Sequence, residues 1–137
     1  MASPYGIILA FETMETPFMD TVQKACHYVR KINSPYLQIY PDLGNVTMAA
    51  YLYGHDVSDD IKSGAGHIVA LHLKETAPNK YRDVPYGTGH VDFSSAIRTA
   101  CEIGVRRFVG EFWAADDFQA QIDHANVFLR SFFRDLV

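Results

Sequence analysis

The feature that most constrains the fold is a fourfold alternation of short apolar runs with longer segments of helical spacing. The four runs cover residues 6–11, 37–40, 68–73 and 108–112. Each is short and almost continuously apolar, which is typical of a strand buried on both faces. Each is followed by residues that repeat at the spacing of an amphipathic helix. This alternation predicts an α/β fold in which helical crossovers connect parallel strands.

The spacing of the runs narrows the fold further. Successive runs begin 31, 31 and 40 residues apart. A complete (β/α)₈ barrel uses about 250 residues, or roughly 31 per unit. The 137 residues therefore predict a (β/α)₄ half-barrel in one domain, residues 1–137, with parallel strands and outer helices. A small open sheet with helices on both faces remains an alternative.

Capping residues predict where the helices begin and end. Thr16 followed by Pro17 predicts the start of the first helix, and Asn33 follows its end. Asp92 predicts the start of a later helix, and Gly104 its left-handed end. The apolar face of the first helix is predicted to comprise Phe18, Val22, Ala25, Cys26 and Val29. The last helix is marked by Phe118, Ile122, Ala125, Leu129, Phe132 and Phe133.

A polar side chain closes each of the four runs. These side chains are Glu12, Asp42, His72 and Glu111, and their spacings of 30, 30 and 39 residues follow those of the runs. In a barrel the carboxyl ends of the strands meet on one face, where active sites lie. Three carboxylates and one imidazole form a mostly oxygen ligand set, which favours Mn²⁺, Mg²⁺ or Co²⁺ and admits Zn²⁺. The pattern predicts a divalent metal site.

The two glutamates among these residues suggest a reaction. A metal that holds a carbonyl and a neighbouring hydroxyl stabilises the charge of an enediolate. Glu12 could then remove the proton beside the carbonyl while Glu111 returns one to the opposite face, or the reverse. Two bases that flank one carbon are what inversion at that carbon requires.

Several segments resemble those of a known family. The matching segments run in the family's order from Gly6 to Trp113 and read GIILAFE, SPYLQIYPDLGN, GAGHIVALHLKET, VPYGTGHVDF and GEFW. They resemble the C-terminal half of the xylose-isomerase-like TIM barrels, and most of all the L-ribulose-5-phosphate (L-xylulose-5-phosphate) 3-epimerases, also called hexulose-6-phosphate isomerases. The resemblance implies that Glu12, Asp42, His72 and Glu111 hold the metal and that the two glutamates form the acid/base pair.

Four further residues are predicted to bind substrate. Asn45 matches a position that faces substrate in the family. Lys74 belongs to a motif that follows the metal histidine, where Glu75 replaces the family's usual aspartate, and it lies on the side that would contact a phosphate. His90 lies in the long third loop, where the family's usual glutamate is replaced by Thr88. Trp113 follows Glu111 closely enough to form a pocket wall; packing is its alternative role.

Composition and charge exclude some classes of partner. Twelve basic against sixteen acidic residues give a net charge of −4, which argues against a nucleic-acid-binding protein. No run of about 18 apolar residues is present, so no membrane span is predicted. Two cysteines do not make a disulfide framework, and a reducing cytoplasm is the expected compartment.

The function has alternatives within and outside the superfamily. The predicted activity is 3-epimerisation of a phosphorylated ketopentose. An aldose–ketose isomerase would use the same metal set, while a DNA-repair endonuclease would need more zinc-binding histidines and less acidic charge. The third alternative is an inactive half-barrel that binds metal and self-associates. Open sheet edges and an apolar inner face predict a homo-oligomer, most simply a dimer, or pairing with a complementing N-terminal half.

Overall fold

The computed structural model describes residues 3–113 and 117–134. After a 3₁₀ turn at Ser3–Tyr5, strands and helices alternate along the chain. The strands are β1 (Leu9–Glu12), β2 (Leu37–Tyr40), β3 (Leu71–Leu73) and β4 (Phe108–Gly110). The helices are α1 (Val22–Ile32), α2 (Leu43–Tyr53), α3 (Val57–Ser63), α4 (Phe93–Glu102) and α5 (Phe118–Ser131). No helix within these residues is long and apolar enough to cross a membrane.

The strands follow one another in chain order and all run parallel. β1 pairs with β2, and β3 pairs with β4. Isolated parallel bridges between Ile39 and Ile68 and between Asp42 and His72 join the two pairs. The predicted α/β fold with parallel strands is confirmed, and all four carboxyl ends point the same way.

The core lies between the strands and the helices in two adjoining clusters. One cluster packs α1 against β2, with Val22, Cys26 and Ile39 fully buried. The other packs β3 and β4 against α4 and α5. Val57 and Ile68 contact both clusters and join them. A core on one side of the strands keeps the strand ends in register, and those ends position the site.

The first helix begins later than Thr16-Pro17 predicts. Residues 15–18 form a turn, and Thr21 is the N-cap of α1, accepting a hydrogen bond from the Lys24 N–H. The buried Asp60 carboxylate of α3 accepts further bonds from the N–H groups of Val22 and Gln23. Phe18 therefore lies outside the helix and is exposed, although the rest of the predicted apolar face is buried. A tertiary contact from α3 fixes the start of this helix.

The other predicted helix ends are confirmed, but one predicted apolar residue of α5 is exposed. Asn33 ends α1 in the left-handed conformation, Asp92 caps α4, and Gly104 follows α4 at a positive φ of 96°. Helix α5 begins at Phe118, but that side chain is exposed. Phe132 and Phe133 lie just beyond the end of the helix and pack against the core cluster.

The expectation that every strand is buried on both faces is wrong for β1 and β4. Ile7, Ile8 and Leu9 are each more than half exposed, and Val109 is exposed in β4. β2 and β3 have a strand on either side, whereas β1 and β4 each have one strand neighbour among the described residues. The runs are apolar, but at the two ends of the sheet the structure leaves them uncovered.

Candidate metal centre

The four side chains that close the strands meet at one point. One ligand atom from each of Glu12, Asp42, His72 and Glu111 lies within 4.8 Å of all the others. Glu12 ends β1, Asp42 follows β2, His72 lies within β3 and Glu111 follows β4. Each parallel strand therefore contributes one side chain to the same end of the sheet, as the regular spacing predicts.

His72 lies between the two glutamates. Its Nδ1 atom is 2.9 Å from Glu12 Oε1 and 3.2 Å from Glu111 Oε2. The Tyr40 ring packs against the imidazole with a centroid separation of 4.1 Å, which restricts its orientation. Carboxylates from the first and last strands thus approach the same imidazole.

Asp42 is fully buried, and its two carboxylate oxygens have different surroundings. Its Oδ1 atom caps α2 by accepting the Asn45 N–H at 2.7 Å. Its Oδ2 atom has no hydrogen-bond partner within the described residues. Burial raises the pKa of this carboxyl to about 6, and the nearby Lys74 ammonium offsets part of the increase. A buried oxygen without a partner is costly, so a cation bound here would satisfy it, and the oxygen-rich set suits a hard divalent ion.

Lys74 is buried beside the carboxylates. Its Nζ atom lies 3.1 Å from Asp42 Oδ1 and 3.8 Å from Glu111 Oε1, and it donates a 2.9 Å hydrogen bond to Asn45 Oδ1. The ammonium also lies 5.4 Å from the centroid of the Trp113 ring. A lone buried ammonium would be strongly disfavoured, so the carboxylates and Lys74 stabilise one another.

Replacing Lys74 with methionine is expected to destabilise the protein. The variant leaves the Asp42 carboxyl buried without its cation, and breaking a buried pair in this way costs about 3–5 kcal/mol. Urea unfolding of metal-stripped protein at pH 8 measures the loss. Lys62→Met is the matched control, because that ammonium is half exposed and 3.9 Å from Asp59, and it should change the free energy of unfolding by less than about 1 kcal/mol. Equal stabilities for the two variants would contradict the pairing.

Asn45, one of the predicted substrate-binding residues, is buried and uses both ends of its amide within the protein. Nδ2 donates to the Thr13 carbonyl at 2.8 Å, while Oδ1 accepts from Lys74. The Thr13 hydroxyl in turn accepts the Asp42 N–H at 2.8 Å. Asn45 thus ties the end of β1 to the start of α2 next to the four ligand side chains. Its contact with a substrate stays a prediction.

His90 and Trp113 differ in the residues that they contact. His90 Nε2 lies 3.0 Å from Thr76 Oγ1, its ring meets Tyr51 edge-on, and burial lowers its pKa. Trp113 is 40% exposed, and its ring lies between Lys74 and the Arg82 guanidinium, which is 5.3 Å away. Trp113 therefore contacts a residue of the site directly, whereas His90 contacts the loop and α2.

Glu75 is a buried carboxylate whose role the sequence analysis missed. It accepts hydrogen bonds from the N–H groups of Thr76, Gly87 and Val91, each 3.1 Å long. A Cβ at Gly89 would lie 2.5 Å from Glu75 Oε1, so the loop approaches too closely for any other residue. Glu75 thus anchors the third loop beneath His90. The available signal was a second charged residue, directly after Lys74, between the strand and the loop.

Tyr86 connects this loop to the metal-ligand strands. Its hydroxyl donates to the carbonyl of Leu73 and lies 3.1 Å from that of Glu111. Burial raises the pKa of the phenol well above its ordinary value, so it remains a donor. The loop after β3 and the end of β4 are therefore held together behind Glu111.

A family model described as the xylose isomerase-like TIM barrel matches residues 1–131. The chain belongs to this family. It is 35% identical over 134 residues to an L-ribulose-5-phosphate 3-epimerase, UlaE, of Escherichia coli, covering 96% of this chain and 46% of that protein. It spans about half the length of the curated relatives it matches.

Comparison with solved structures confirms the half-barrel. A D-tagatose 3-epimerase-like protein superposes with a TM-score of 0.79 at 17% identity, over 98% of this chain and 50% of the other. A xylose isomerase-like TIM barrel protein of Mycobacterium smegmatis, in complex with magnesium, superposes with a TM-score of 0.69 at 20% identity, over 98% and 47%. These likenesses establish the fold and favour the half-barrel over the open sheet with helices on both faces.

Proposed function

We propose that this chain holds a divalent metal ion and interconverts L-ribulose 5-phosphate and L-xylulose 5-phosphate by inversion at carbon 3. The observation that carries the proposal is the convergence of Glu12 and Glu111, from the two outer strands, on His72. The relative named as an L-ribulose-5-phosphate 3-epimerase supports this choice of substrate. Because the chain spans about half the length of this relative, the activity of the chain on its own is part of the proposal.

The metal would be held by Glu12, Asp42, His72 and Glu111. A bound divalent ion supplies Lewis-acid stabilisation of negative charge on the sugar oxygens. The unpartnered Asp42 Oδ2 and the close grouping of the four side chains support such binding. The magnesium in the structure of the Mycobacterium smegmatis family member adds support for Mg²⁺, and Mn²⁺ and Co²⁺ suit the same oxygen-rich set.

The two glutamates would move the proton. One carboxylate takes the proton from carbon 3, and the electron pair of that bond moves towards the carbonyl at carbon 2 to give an enediolate. The other glutamic acid then donates a proton to the opposite face of carbon 3, and the carbonyl re-forms. Each turnover leaves the proton on the first glutamate, and the reverse reaction exchanges the roles.

Lys74 would stabilise the oxygen that becomes negative. Its ammonium lies between Asp42 and Glu111 and is almost inaccessible to water. A buried donor aimed at developing charge is worth more than an exposed one. Asn45 would hold Lys74 in place and Trp113 would form a wall of the sugar pocket, while His90 would reach the substrate from the third loop.

Direct observation of the product by ¹³C NMR tests the proposal. We expect Mn²⁺-loaded protein to convert L-ribulose 5-phosphate into L-xylulose 5-phosphate, and excess chelator to stop the conversion. Glu102→Gln, a change on the exposed outer side of α4, should leave the rate unaltered. Formation of an aldose phosphate would identify an aldose–ketose isomerase instead. No conversion by protein that binds the metal would identify an inactive half-barrel.

A further inference from the structure

The sheet has two open edges. The Leu9 N–H donates to the Tyr36 carbonyl, and the Glu111 N–H donates to the Leu73 carbonyl, each at 2.9 Å. Consecutive peptide groups of a strand point to opposite sides, so the N–H groups of Ala10 and Gly110 point away from their neighbouring strands. Among the described residues nothing pairs with these two outward edges, which are therefore available to another parallel strand.

The β1 edge carries apolar side chains without a cover. Phe11 packs against Tyr28 of α1, which identifies the helix-facing side of β1. Side chains two residues apart in a strand share a face, so Leu9 also points to the helix side. Its side chain is 55% exposed, and among the described residues it is not part of either core cluster.

The β4 edge has a groove beside it. A groove of about 310 Å³ lies between β4 and α5. Phe108, Ile122, Leu129 and Phe133 give it apolar walls, and Asn126 and Arg130 add polar ones. In a βα barrel, outward-facing side chains of each strand fill the space between adjacent helices. The groove is therefore open where the next strand of a barrel would place its outward side chains.

We propose that two copies of this chain close an eight-stranded barrel. β1 of each copy pairs in parallel with β4 of the other, so that Leu9 of one copy enters the groove beside α5 of the second. Four strands per copy give the eight of a complete barrel, and the same two edges meet at both seams, as a twofold axis along the barrel requires.

Each copy contributes two seams to the interface. A half-exposed side chain of this size leaves on the order of 100 Å² of apolar surface. Each seam adds the paired strand backbones and the walls of the groove, and a standard stable interface needs on the order of 800 Å² per copy from the two seams together. Closure places both candidate metal centres at one mouth of the barrel, because all eight carboxyl ends point the same way.

Light scattering and sedimentation equilibrium between 1 and 100 µM test the proposal. We expect twice the 15.4 kDa of one chain. Leu9→Lys places a charge in the seam and is expected to raise the dissociation constant of the dimer by at least about 100-fold. Leu52→Lys is the matched control, because Leu52 is a leucine of equal exposure, 54%, on α2 away from both edges. It should leave the dimer intact, and circular dichroism verifies the fold of both variants.

Hydrogen exchange keeps the proposal testable if Leu9→Lys fails to fold. In the wild type the amides of Ala10 and Gly110 should exchange at least about tenfold more slowly at 100 µM than at 1 µM. A folded monomer at 100 µM, open-ended polymers, equal loss of the dimer in both variants, or concentration-independent exchange at the two amides would each overturn it. So would a monomer that pairs instead with a protein containing the family's N-terminal four units.

Discussion

Replacing Glu111 with glutamine is expected to lower the rate of epimerisation by about 10²- to 10⁴-fold, the usual contribution of a positioned acid or base. Glutamine keeps the length of the side chain and an oxygen that can face a metal. The Oε2 atom of Glu111 lies 3.2 Å from His72, and its backbone carbonyl is within reach of Tyr86. The substitution removes the carboxylate and its charge, including its ion pair with Lys74, so the rate is measured at saturating Mn²⁺, where the loss reports on proton transfer.

Solvent isotope exchange separates proton transfer from a general loss of the site. In D₂O the wild type should introduce deuterium at carbon 3 of both sugars. Glu111→Gln retains Glu12, so it should still exchange this hydrogen in one of the two epimers without inverting it. Glu12→Gln should show the reverse preference. Full inversion by either variant, or exchange of the same epimer in both, would contradict a mechanism with two opposed bases.

The positions of the ligand side chains could be predicted because parallel strands fix them. A strand that begins every 31 or so residues brings each carboxyl end to the same face. The residue type at that end is then sufficient to predict the cluster of Glu12, Asp42, His72 and Glu111, and the structure brings their ligand atoms together. The regular repeat of strand and helix is a property of the backbone, and the spacing of the residues in the sequence follows it directly.

Features that depend on contacts between distant residues were not predictable in this way. The start of α1 is set by Asp60, which lies 38 residues after Val22. No local pattern distinguishes Thr16 from Thr21 as the cap, because both are followed by apolar residues at helical spacing. The sequence identifies Glu75 only as a variant of a family motif. Its function depends on three N–H groups, two of them more than ten residues away in a loop.

The prediction that all four strands are buried on both faces was wrong for a related reason. An apolar run indicates what a strand could cover, but not whether a neighbour covers it. The runs at β1 and β4 are as apolar as those at β2 and β3, yet Leu9 and Val109 are exposed. These two runs have the apolar character of strands that a closed barrel buries, but in one copy of the chain their side chains remain exposed.

Lys74 illustrates how the structure refines a role. Its position after His72 predicts a side chain on the side of the site, suited to a phosphate. The buried ammonium instead lies within hydrogen-bonding distance of Asp42 and Asn45. Under the proposed function a buried and oriented ammonium suits an oxygen at the reacting carbon, while contact of Lys74 with a phosphate stays a prediction.

Asp42→Asn is expected to weaken Mn²⁺ binding by at least about 100-fold, more than the 10- to 100-fold typical of residues that only support a ligand. Asparagine caps a helix as well as aspartate, so the start of α2 at Leu43 should be preserved. The variant loses the negative charge that opposes Lys74 and the buried oxygen that has no other partner. Calorimetric titration of metal-stripped protein measures one site per wild-type chain and the loss in the variant.

Asp92→Asn is the control for this titration. Asp92 caps α4 as Asp42 caps α2, accepting the Ser95 N–H at 2.9 Å, and it is exposed. The substitution at Asp92 is the same and affects the same kind of helix cap, but Asp92 is not among the four converging side chains. Its Mn²⁺ affinity should equal that of the wild type. If Asp42→Asn bound Mn²⁺ as tightly as Asp92→Asn, the buried carboxylate would serve only as a helix cap, and the ligand set derived from the strand ends would be wrong.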